Sequence, residues 1–395
     1  MHADRAAIAT ALARLDAAAL RRRRRVIDRY PQPADGTRAS VNGQLLRVFC
    51  SNDYLGLARH PELSAAMHSV SIEFGVGSGA AHLVTGHSRP HQLLEEELAA
   101  FTGRERALLF STGFMANLGV LSTFAGRNET VLEDRLNHAS LVDGARLSGA
   151  RLLRFAHADV AAASRALGEH ADCAVIATDG LFSMDGDVAP LPELAALAAR
   201  RRAWLLVDDA HGLGVLGATG RGTLELAGLS TAAAPLLVGT LGKAFGCFGA
   251  FVAGDAEVIE LLLQRARTYI YTTALPPGVA AAACAALRIA QRESWRRDKL
   301  RTLVTRFRAG AAALDLPLMN SDSPIQPLLA GGAARALRLS DALFALGFWV
   351  SAIRPPTVPA GSARLRITLS AAHSEADVDA LLAALDRVWR ADRAP

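Results

Sequence analysis

Lysine is scarce in this sequence. Only Lys243 and Lys299 are lysine among the 43 basic residues of the 395-residue chain, and all the others are arginine. Arginine stays protonated in proteins, whereas a lysine amine can lose its proton and attack a carbonyl carbon. Lys299 lies in a charged helical run, residues 296–301, where a solvated surface role explains it. Lys243 has no such explanation and is the candidate nucleophile.

Cysteine and long apolar runs are also few. The stretch 278–290 is apolar but short, and it predicts a buried helix rather than a membrane span. The cysteines are widely spaced, which argues against a disulfide framework and predicts a reduced, cytoplasmic location. They are Cys50, Cys173, Cys247 and Cys284.

The net charge of +5 comes from one segment. Residues 21–25 are five consecutive arginines, and without them the basic and acidic residues are equal in number at 38. A single basic run attracts an acidic small molecule as readily as a phosphate backbone. Because no folded nucleic-acid motif accompanies the run, the sequence predicts neither a nucleic-acid nor a membrane partner.

Short apolar runs alternate with helical patterns from about residue 90, which is typical of a largely parallel sheet covered by helices on both faces. The predicted strands are 107–110, 130–132, 173–177, 204–207, 236–238 and 250–252. The predicted helices are 91–101, 114–124, 139–148, 159–168, 191–202 and 255–266. In such α/β sheets ligands bind at the carboxyl ends of the strands.

Three regions are predicted along the chain: an N-terminal helix and arm (1–45), a large domain (46–285) and a smaller C-terminal α/β domain (286–395). The first is predicted as a helix followed by a loop. The last combines helices and strands predicted at 293–314, 325–329, 333–346, 348–353, 364–369 and 374–391.

Lys243 lies in a glycine-rich segment, residues 239–246, directly after the predicted strand 236–238. Glycine allows tight turns and a close approach of ligand to backbone. The alternative is a phosphate-binding P-loop, but Ala244 stands where that motif requires Ser or Thr. The segment therefore predicts that Lys243 lies on a loop directly after the carboxyl end of a strand.

A second strand, 204–207, ends in Asp208 and Asp209 and is followed by His211. An acid at this place could hold a proton on a cofactor ring nitrogen, and the histidine could contact the ring. A metal site is the competing interpretation, but no second His/Cys cluster completes it.

Other polar motifs follow predicted strands. Residues 111–117 open a helix, where an anion such as phosphate suits the free N–H groups, although a simple helix cap is the alternative. Asp185 and Asp187 lack the remaining ligands of a calcium loop. The glycines of 75–80 do not follow a convincing strand, so a loop or subunit contact is predicted instead of a dinucleotide site.

Together the motifs resemble those of the α-oxoamine synthases, fold-type-I pyridoxal-phosphate enzymes that join an amino acid to an acyl thioester. The resemblance covers the chain from about residue 20 to the last helix. The motifs are residues 51–57 (SNDYLGL), the loop 77–86, 137–140 (NHAS), 182–187 (FSMDGD), 207–212 (VDDAHG) and 240–243 (TLGK). The resemblance implies a mostly parallel seven-stranded sheet, a smaller C-terminal domain, bound pyridoxal 5'-phosphate and a homodimer with its site at the interface.

The segment 352–361 (AIRPPTVPAG) resembles the biotin-pathway branch of this family. That resemblance implies a decarboxylative condensation of L-alanine with pimeloyl-CoA, or with pimeloyl-carrier protein, releasing CoA and carbon dioxide. The alternatives are another synthase of the family, such as glycine C-acetyltransferase, a fold-type-I aminotransferase or, from another class, a nucleic-acid-binding regulator using the arginine run.

The resemblance also implies roles for single residues. Lys243 carries the cofactor as a Schiff base, Asp208 pairs with its ring nitrogen and His138 stacks on the ring. The other implied cofactor contacts are Ser183 and His211 at the ring hydroxyl, Gly113, Phe114 and Thr240 near the phosphate, and Thr272 and Thr273 reaching the phosphate of the neighbouring subunit. The implied substrate contacts are Arg366 and Asn52 at the amino-acid carboxylate and Arg21 and Thr357 at the acyl group, and His138 is implied as a substrate contact as well. No metal is implied.

Two positions depart from the family pattern. The arginine run leaves the alignment of Arg21 open by a residue or two. Asp179 stands where members of the family usually have glutamate, which is one methylene longer, and this difference would shift the cofactor slightly.

Overall fold

The computed structural model describes residues 5–32, 36–168 and 173–393 and divides the chain into two compact units. The larger unit comprises Leu55–Ser183 and Asp187–Arg297, and the smaller unit comprises Met1–Tyr54, Met184–Gly186 and Asp298–Pro395. The domain boundaries at residues 46 and 286 stay predictions.

The strands and helices are numbered in chain order. The strands are β1 (Arg38–Val41), β2 (Gln44–Val48), β3 (Arg106–Phe110), β4 (Thr130–Asp134), β5 (Arg151–Phe155), β6 (Cys173–Asp179), β7 (Trp204–Asp208), β8 (Leu236–Thr240), β9 (Ala250–Gly254), β10 (Ile325–Gly331), β11 (Phe348–Trp349), β12 (Ser351–Ile353) and β13 (Ala363–Thr368). The helices are α1 (Arg5–Ala17), α2 (Pro61–Phe74), α3 (Arg89–Thr102), α4 (Gly113–Phe124), α5 (Ala139–Ser148), α6 (Val160–Leu167), α7 (Leu191–Arg201), α8 (Thr223–Leu226), α9 (Ala256–Arg265), α10 (Arg267–Ile270), α11 (Pro277–Arg292), α12 (Trp295–Ala313), α13 (Ala333–Ala345) and α14 (Glu375–Arg393).

The larger unit is built on a seven-stranded sheet with the order β3-β9-β8-β7-β6-β4-β5. The strands β5, β4, β6, β7 and β8 pair in parallel, and β9 runs antiparallel to both of its neighbours. The predicted seven-stranded, mostly parallel sheet is therefore confirmed. The central strands are mostly apolar because both faces of the sheet are covered, and polar residues are concentrated at their carboxyl ends.

Two apolar cores cover the two faces of this sheet. One packs α4, α5 and α9 against the strands around Val131, Val175 and Val238. The other packs α6 and α7 around Ile176, Leu205 and Leu237. Neighbouring residues of a strand point to opposite faces, so Val175 and Ile176 divide between the two cores.

The predicted strands and helices of this unit are found within one or two residues of their expected bounds, but β5 was not predicted. It lies at the edge of the sheet. Its first residue, Arg151, and its fourth, Arg154, are exposed arginines. An edge strand buries only part of one face, so its sequence lacks the continuous apolar run that marks the central strands.

The smaller unit contains two three-stranded sheets, β1-β2-β11 and β10-β13-β12. The prediction of a loop up to residue 45 was wrong, because β1 and β2 form a hairpin there. Its two-residue turn, Asn42-Gly43, has positive φ at both positions, 51° and 77°. Asn-Gly is the residue pair that such a turn favours, so the signal was present in the sequence.

The predicted strand 348–353 consists of two strands that belong to different sheets. β11 pairs in parallel with β2, and β12 pairs antiparallel with β13. Among the described helices, none combines the length and the apolar composition needed to cross a membrane.

Candidate active site

The carboxyl ends of β6, β7 and β8 bring together acids and the candidate lysine. Asp179 and Asp208 end two neighbouring strands and lie opposite each other in register. Thr240 ends β8, and Lys243 follows three residues later with its side chain half-buried. A turn holds Lys243, because the Gly246 N–H donates to the carbonyl of Lys243 at 2.9 Å.

Glycine is required in this turn by a close approach of backbone to backbone. Gly246 has φ +64°, and a Cβ atom built there would lie 2.3 Å from the backbone nitrogen of Ala58. No heavy atom fits at that distance, and neither backbone segment can move aside as a flexible side chain could. Gly246 therefore determines the backbone path of the turn that contains Lys243.

Asp208 is buried and its carboxylate is held by two donors. The side chain of Asn117, on α4, donates to Oδ2 at 2.6 Å, and the backbone N–H of Ala210 donates to Oδ1 at 3.0 Å. The carboxylate is thus oriented from two sides at the end of its strand.

His138 is the N-cap of α5, and its own backbone N–H donates to Asp179 Oδ2 at 3.1 Å. Its ring nitrogen Nδ1 lies 2.7 Å from Ser140 Oγ. The ring of Phe114 lies edge-on to the His138 ring, with centroids 6.4 Å apart and planes at 78°. The ring is therefore fixed in direction although its residue is exposed.

The charges at these strand ends change the proton affinity of two groups. Burial, and then the repulsion of Asp208, raises the pKa of Asp179 well above its ordinary 3.8, with Lys243 opposing the change. Desolvation lowers the pKa of His138 below 6.5; Asp208 opposes that change and Lys243 adds to it. Lys243, Asp208, Asp179 and His138 thus interact as one electrostatic group, which is the pattern expected at a reactive site.

His211 is buried and follows directly on the turn that Asp209 organises. The carboxylate of Asp209 accepts the Thr223 N–H at 2.7 Å, and burial raises the pKa of Asp209 to about 7. Glycine surrounds it, since a Cβ atom at Gly222 would lie 1.9 Å from this carboxylate. Asp209 therefore supports the loop that carries His211 rather than facing the strand ends.

The start of α4 offers a place for an anion. Thr112 caps the helix by accepting the Met115 N–H at 3.2 Å, and Gly113 and Phe114 form the first turn, whose N–H groups a helix leaves unsatisfied. A Cβ atom at Gly113 would meet no atom within 4 Å, so the space beside this turn is open. Thr240 Oγ1 is fixed by donating to Gly249 O at 3.1 Å.

The remaining predicted cofactor contacts lie on turns of the same unit. Ser183 is half-buried in the turn after β6. Thr272 and Thr273 follow α10, and Thr273 pairs with Ala81 of the glycine-rich loop. The structure therefore joins the Thr272–Thr273 segment to the loop in which a subunit contact is predicted.

Two predicted substrate residues lie together in the smaller unit. Arg366 is buried on β13 and donates to Asn52 Oδ1 at 3.2 Å and to the Tyr54 hydroxyl at 3.4 Å. Tyr54 in turn donates to Asn52 at 3.3 Å. Sequence reasoning gave no role to Tyr54, although it belongs to the same motif as Asn52.

The predicted acyl contacts, Arg21 and Thr357, are not brought together in this structure. Arg21 forms an ion pair with Asp16 at 2.6 Å. The side chain of Arg22 reaches Thr357 Oγ1 instead, at 3.3 Å. The structure therefore orders the arginine run differently from the alignment, and the role of Arg21 stays a prediction.

The two acids of the 182–187 motif are each paired with a cation. Asp185 pairs with Arg364 in the smaller unit. In the larger unit Asp187 pairs with His157 at 2.8 Å. Each of these two acids therefore has a basic partner within its own unit.

Sequence reasoning missed two buried residues that organise the site, Asn117 and Ser140. Asn117 donates to both Asp208 and Ser140, and Ser140 contacts His138. Both lie inside motifs already singled out. The available signal was a polar residue at a helix position that faces the sheet, because such a residue needs a buried partner.

These residues fit a pyridoxal phosphate group. An amine on a turn suits the aldehyde, a charged carboxylate suits a protonated ring nitrogen, and an open helix start suits a phosphate. The observation that carries this fit is the Asp208 carboxylate, which two donors hold and whose charge acts, with that of Lys243, on Asp179 and His138.

Comparison with known proteins agrees with this site. The sequence model of the aminotransferase class I and II family matches residues 47–385. The chain is 59% identical over 384 residues to the 8-amino-7-oxononanoate synthase of Thioalkalivibrio sulfidiphilus, covering 96% of this chain and 97% of that one. It is 60% identical over 378 residues to the enzyme of the same name from Methylococcus capsulatus, covering 95% and 97%.

Solved structures show the same fold. A serine palmitoyltransferase from S. paucimobilis, with PLP and myriocin bound, superposes with a TM-score of 0.92 at 31% identity, covering 98% of this chain and 97% of that chain. An 8-amino-7-oxononanoate synthase from Francisella tularensis superposes with a TM-score of 0.77 at 33% identity, covering 88% and 99%.

Proposed function

The chain belongs to the aminotransferase class I and II family, and on that basis we propose that it condenses L-alanine with a pimeloyl thioester to give 8-amino-7-oxononanoate. The reaction releases the thiol and carbon dioxide, serves biotin biosynthesis and uses pyridoxal 5'-phosphate as cofactor. The single observation that carries the proposal is identity of about 60% with 8-amino-7-oxononanoate synthases over nearly the whole chain.

Fold similarity alone would not choose this substrate pair. The serine palmitoyltransferase superposes better than the synthase from Francisella tularensis, although both are about one-third identical to the chain. A shared fold hosts many reactions, so function has to be argued from sequence and from the site. The curated relatives, at almost twice that identity, favour the pimeloyl reaction.

The cofactor, when bound, supplies an electron sink for the negative charge that develops at the α-carbon of the amino acid. In the proposal Asp208 holds a proton on the ring nitrogen, and Asn117 keeps its carboxylate aimed there. His138 would stack on the ring, and Ser183 and His211 would contact its hydroxyl side. Gly113, Phe114 and Thr240 would hold the cofactor near its phosphate, and Thr272 and Thr273 would reach the phosphate of the other subunit.

Lys243 performs the proton transfers. Its Nζ would hold the cofactor through the aldehyde, and the same amine would remove and return a proton at the α-carbon of the amino acid. Arginine could do neither task, which accounts for a lysine here in an arginine-rich chain.

The proposed substrate contacts are Arg366 and Asn52 for the amino acid, and Thr357 with the arginine run for the acyl group. Arg366, with Asn52 beside it, receives the carboxylate of L-alanine, because a buried guanidinium is a strong partner for a carboxylate. The family resemblance implies that Arg21 and Thr357 contact the acyl group. Since Arg22 is the arginine seated on Thr357, we propose Arg22 as a second contact of the acyl chain.

A homodimer is proposed because the larger unit exposes an apolar patch near the predicted subunit contact. Its residues are Ile72 on α2, Val76 in the glycine-rich segment 75–80, Leu83 and Val84 in a short π-helix (His82–Gly86), and Tyr271 directly before Thr272. Large exposed apolar side chains in one region mark an association surface. We also retain the predicted cytoplasmic location, which the scattered cysteines support.

The test is thiol release by purified protein with pyridoxal phosphate, measured for three substrate pairs. L-alanine with pimeloyl-CoA should exceed both glycine with acetyl-CoA and L-serine with palmitoyl-CoA by at least about tenfold in kcat/KM. Preference for another pair would overturn the proposed substrates. Keto-acid formation without thiol release would instead indicate transamination.

The role of Lys243 is tested with Lys243→Ala. The matched control is Lys299→Ala, which replaces the other lysine of the chain. Borohydride reduction followed by mass analysis of peptides should attach the cofactor at Lys243 in the wild type and in Lys299→Ala, and at no residue in Lys243→Ala. Wild-type turnover in Lys243→Ala would refute the proposed role of this lysine.

A further inference from the structure

A continuous chain of hydrogen bonds connects Asp208 to the ring of His138. The amide nitrogen Nδ2 of Asn117 lies 2.6 Å from Asp208 Oδ2 and 2.8 Å from Ser140 Oγ. Ser140 Oγ lies 2.7 Å from His138 Nδ1. Asn117 and Ser140 are completely buried, so water does not compete for these bonds.

The chemistry of the groups fixes the direction of each bond. An asparagine amide nitrogen carries two hydrogens and only donates, and a charged carboxylate only accepts. Asn117 therefore donates one hydrogen to Asp208 and the other to Ser140 Oγ. Ser140 Oγ accepts from Asn117 and still carries one hydrogen, which it can donate to His138 Nδ1 if that nitrogen is the acceptor.

The amide orientation of Asn117 is determined by Asp208. Turning the amide over would place Oδ1 against the Asp208 carboxylate at 2.6 Å and replace attraction by repulsion. In the observed orientation Oδ1 is buried and has no hydrogen-bond partner within the described chain. Asn117 Oδ1 is thus left unsatisfied, while both hydrogens of Asn117 Nδ2 are used in the network.

A second donor points at the same ring nitrogen. The backbone N–H of Ser140 lies 3.3 Å from His138 Nδ1, as expected for an N-cap side chain that accepts from its helix. A nitrogen that accepts these bonds carries no hydrogen of its own. We infer that His138 is held as the neutral tautomer with its proton on Nε2, and that Asn117 and Ser140 are the positioning residues that hold it so.

This tautomer defines what His138 does in the reaction, a consequence that rests on the proposed function. The Nδ1 lone pair is engaged by Ser140, so His138 cannot accept the α-proton there without breaking the network. Its Nε2–H is a donor, suited to a carboxylate or thioester oxygen of the substrate. Proton transfer at the α-carbon is thereby left to Lys243.

The electrostatics around His138 agree with a neutral ring. Desolvation lowers its pKa, and so does the positive charge of Lys243. Asp208 and, more weakly, Asp143 on the same helix act in the opposite direction. A donor to Nδ1 stabilises the neutral ring further, because it bonds the form that lacks the second proton.

Nitrogen NMR of the holoenzyme tests the tautomer directly. Histidine labelled with 15N in its ring is incorporated, and the signals of His138 are assigned by their loss in His138→Gln. We expect an unprotonated Nδ1 and a protonated Nε2 at neutral pH. A proton on Nδ1, or on both nitrogens, would overturn the inference, whether or not the protein releases thiol from pimeloyl-CoA.

Ser140→Ala tests the network, with Ser148→Ala on the same helix as its control, because Ser148 Oγ bonds only backbone groups of its own segment. Losing the Ser140 hydroxyl should raise the apparent acid-side pKa of kcat/KM by roughly half a pH unit and populate both tautomers in the spectrum. Ser148→Ala should change neither. Identical spectra for Ser140→Ala and wild type would refute the role of Ser140.

Discussion

His157 bridges two carboxylates of the larger unit, and its replacement should cost stability in a pH-dependent way. Its Nδ1 lies 3.0 Å from Asp134 at the end of β4, and its Nε2 lies 2.8 Å from Asp187 in the turn after β6. Its ring also packs at right angles on Phe182, with centroids 4.5 Å apart. The perturbation is His157→Gln, which keeps a polar side chain but removes the charge.

The magnitude follows from the proton affinity of His157. Burial lowers its pKa, but the hydrogen bonds to Asp134 and Asp187 outweigh that effect and raise it from 6.5 to about 10. At about 1.4 kcal/mol for each tenfold change in affinity, this difference is worth at most about 5 kcal/mol. The side chain is one-quarter exposed, so solvent screens part of the attraction, and we expect a loss of about 3 kcal/mol in the free energy of unfolding.

The sign of the pH dependence is fixed by a folded-state pKa above the unfolded one. The contribution of His157 is complete below about pH 6.5 and disappears as the pH rises through about 10. Urea unfolding of holoenzyme and variant, at one protein concentration and at pH 6, 8 and 9.5, measures it. The gap between the two proteins should be widest at pH 6.

His68→Gln is the control, because His68 is exposed on α2 and the substitution is the same. It should change the free energy of unfolding by less than about 0.5 kcal/mol at every pH. If His157→Gln loses no more than this control, or if its loss does not shrink between pH 6 and 9.5, the charged bridge does not exist. Because Phe182 directly precedes Ser183, the variant should also bind pyridoxal phosphate more weakly.

Three further predictions concern single positions. Gly246→Ala should lower the free energy of unfolding by at least about 3 kcal/mol, against about 1 kcal/mol for Gly228→Ala. Both glycines have φ near +63°, but only at Gly246 would the new Cβ atom lie against backbone, at 2.3 Å. Equal losses in urea unfolding would contradict this. Arg366→Lys should raise KM for L-alanine by at least about tenfold and leave KM for the thioester almost unchanged, since an ammonium cannot pair with a carboxylate through two parallel bonds. Steady-state kinetics with each substrate varied would show an equal rise in both KM values if the assignment is wrong. Lys243→Arg should keep the thermal midpoint within about 3 °C yet release no thiol, and measurable turnover would exclude Lys243 as the proton carrier.

Much of the fold was determined by the sequence itself. Central strands such as β7 and β8 are short continuous apolar runs, and a parallel sheet buried on both faces requires that pattern. Lys243 also stands out without any structure, since arginine replaces lysine almost everywhere else. The edge strand β5 escaped prediction because solvent, rather than a core, surrounds half of its side chains.

The network that organises the site was decided only by the tertiary structure. Asn117, Ser140 and Asp208 come from α4, α5 and β7, far apart along the chain, and no spacing rule relates them. The hydrogen bond of Arg22, rather than Arg21, to Thr357 was also decided by the tertiary structure. The five adjacent arginines are chemically equivalent, and only the path of the backbone determines which of them reaches Thr357. Residue chemistry and local pattern are written in the sequence, whereas buried hydrogen-bond partners are chosen by the packing that brings distant segments within 3 Å.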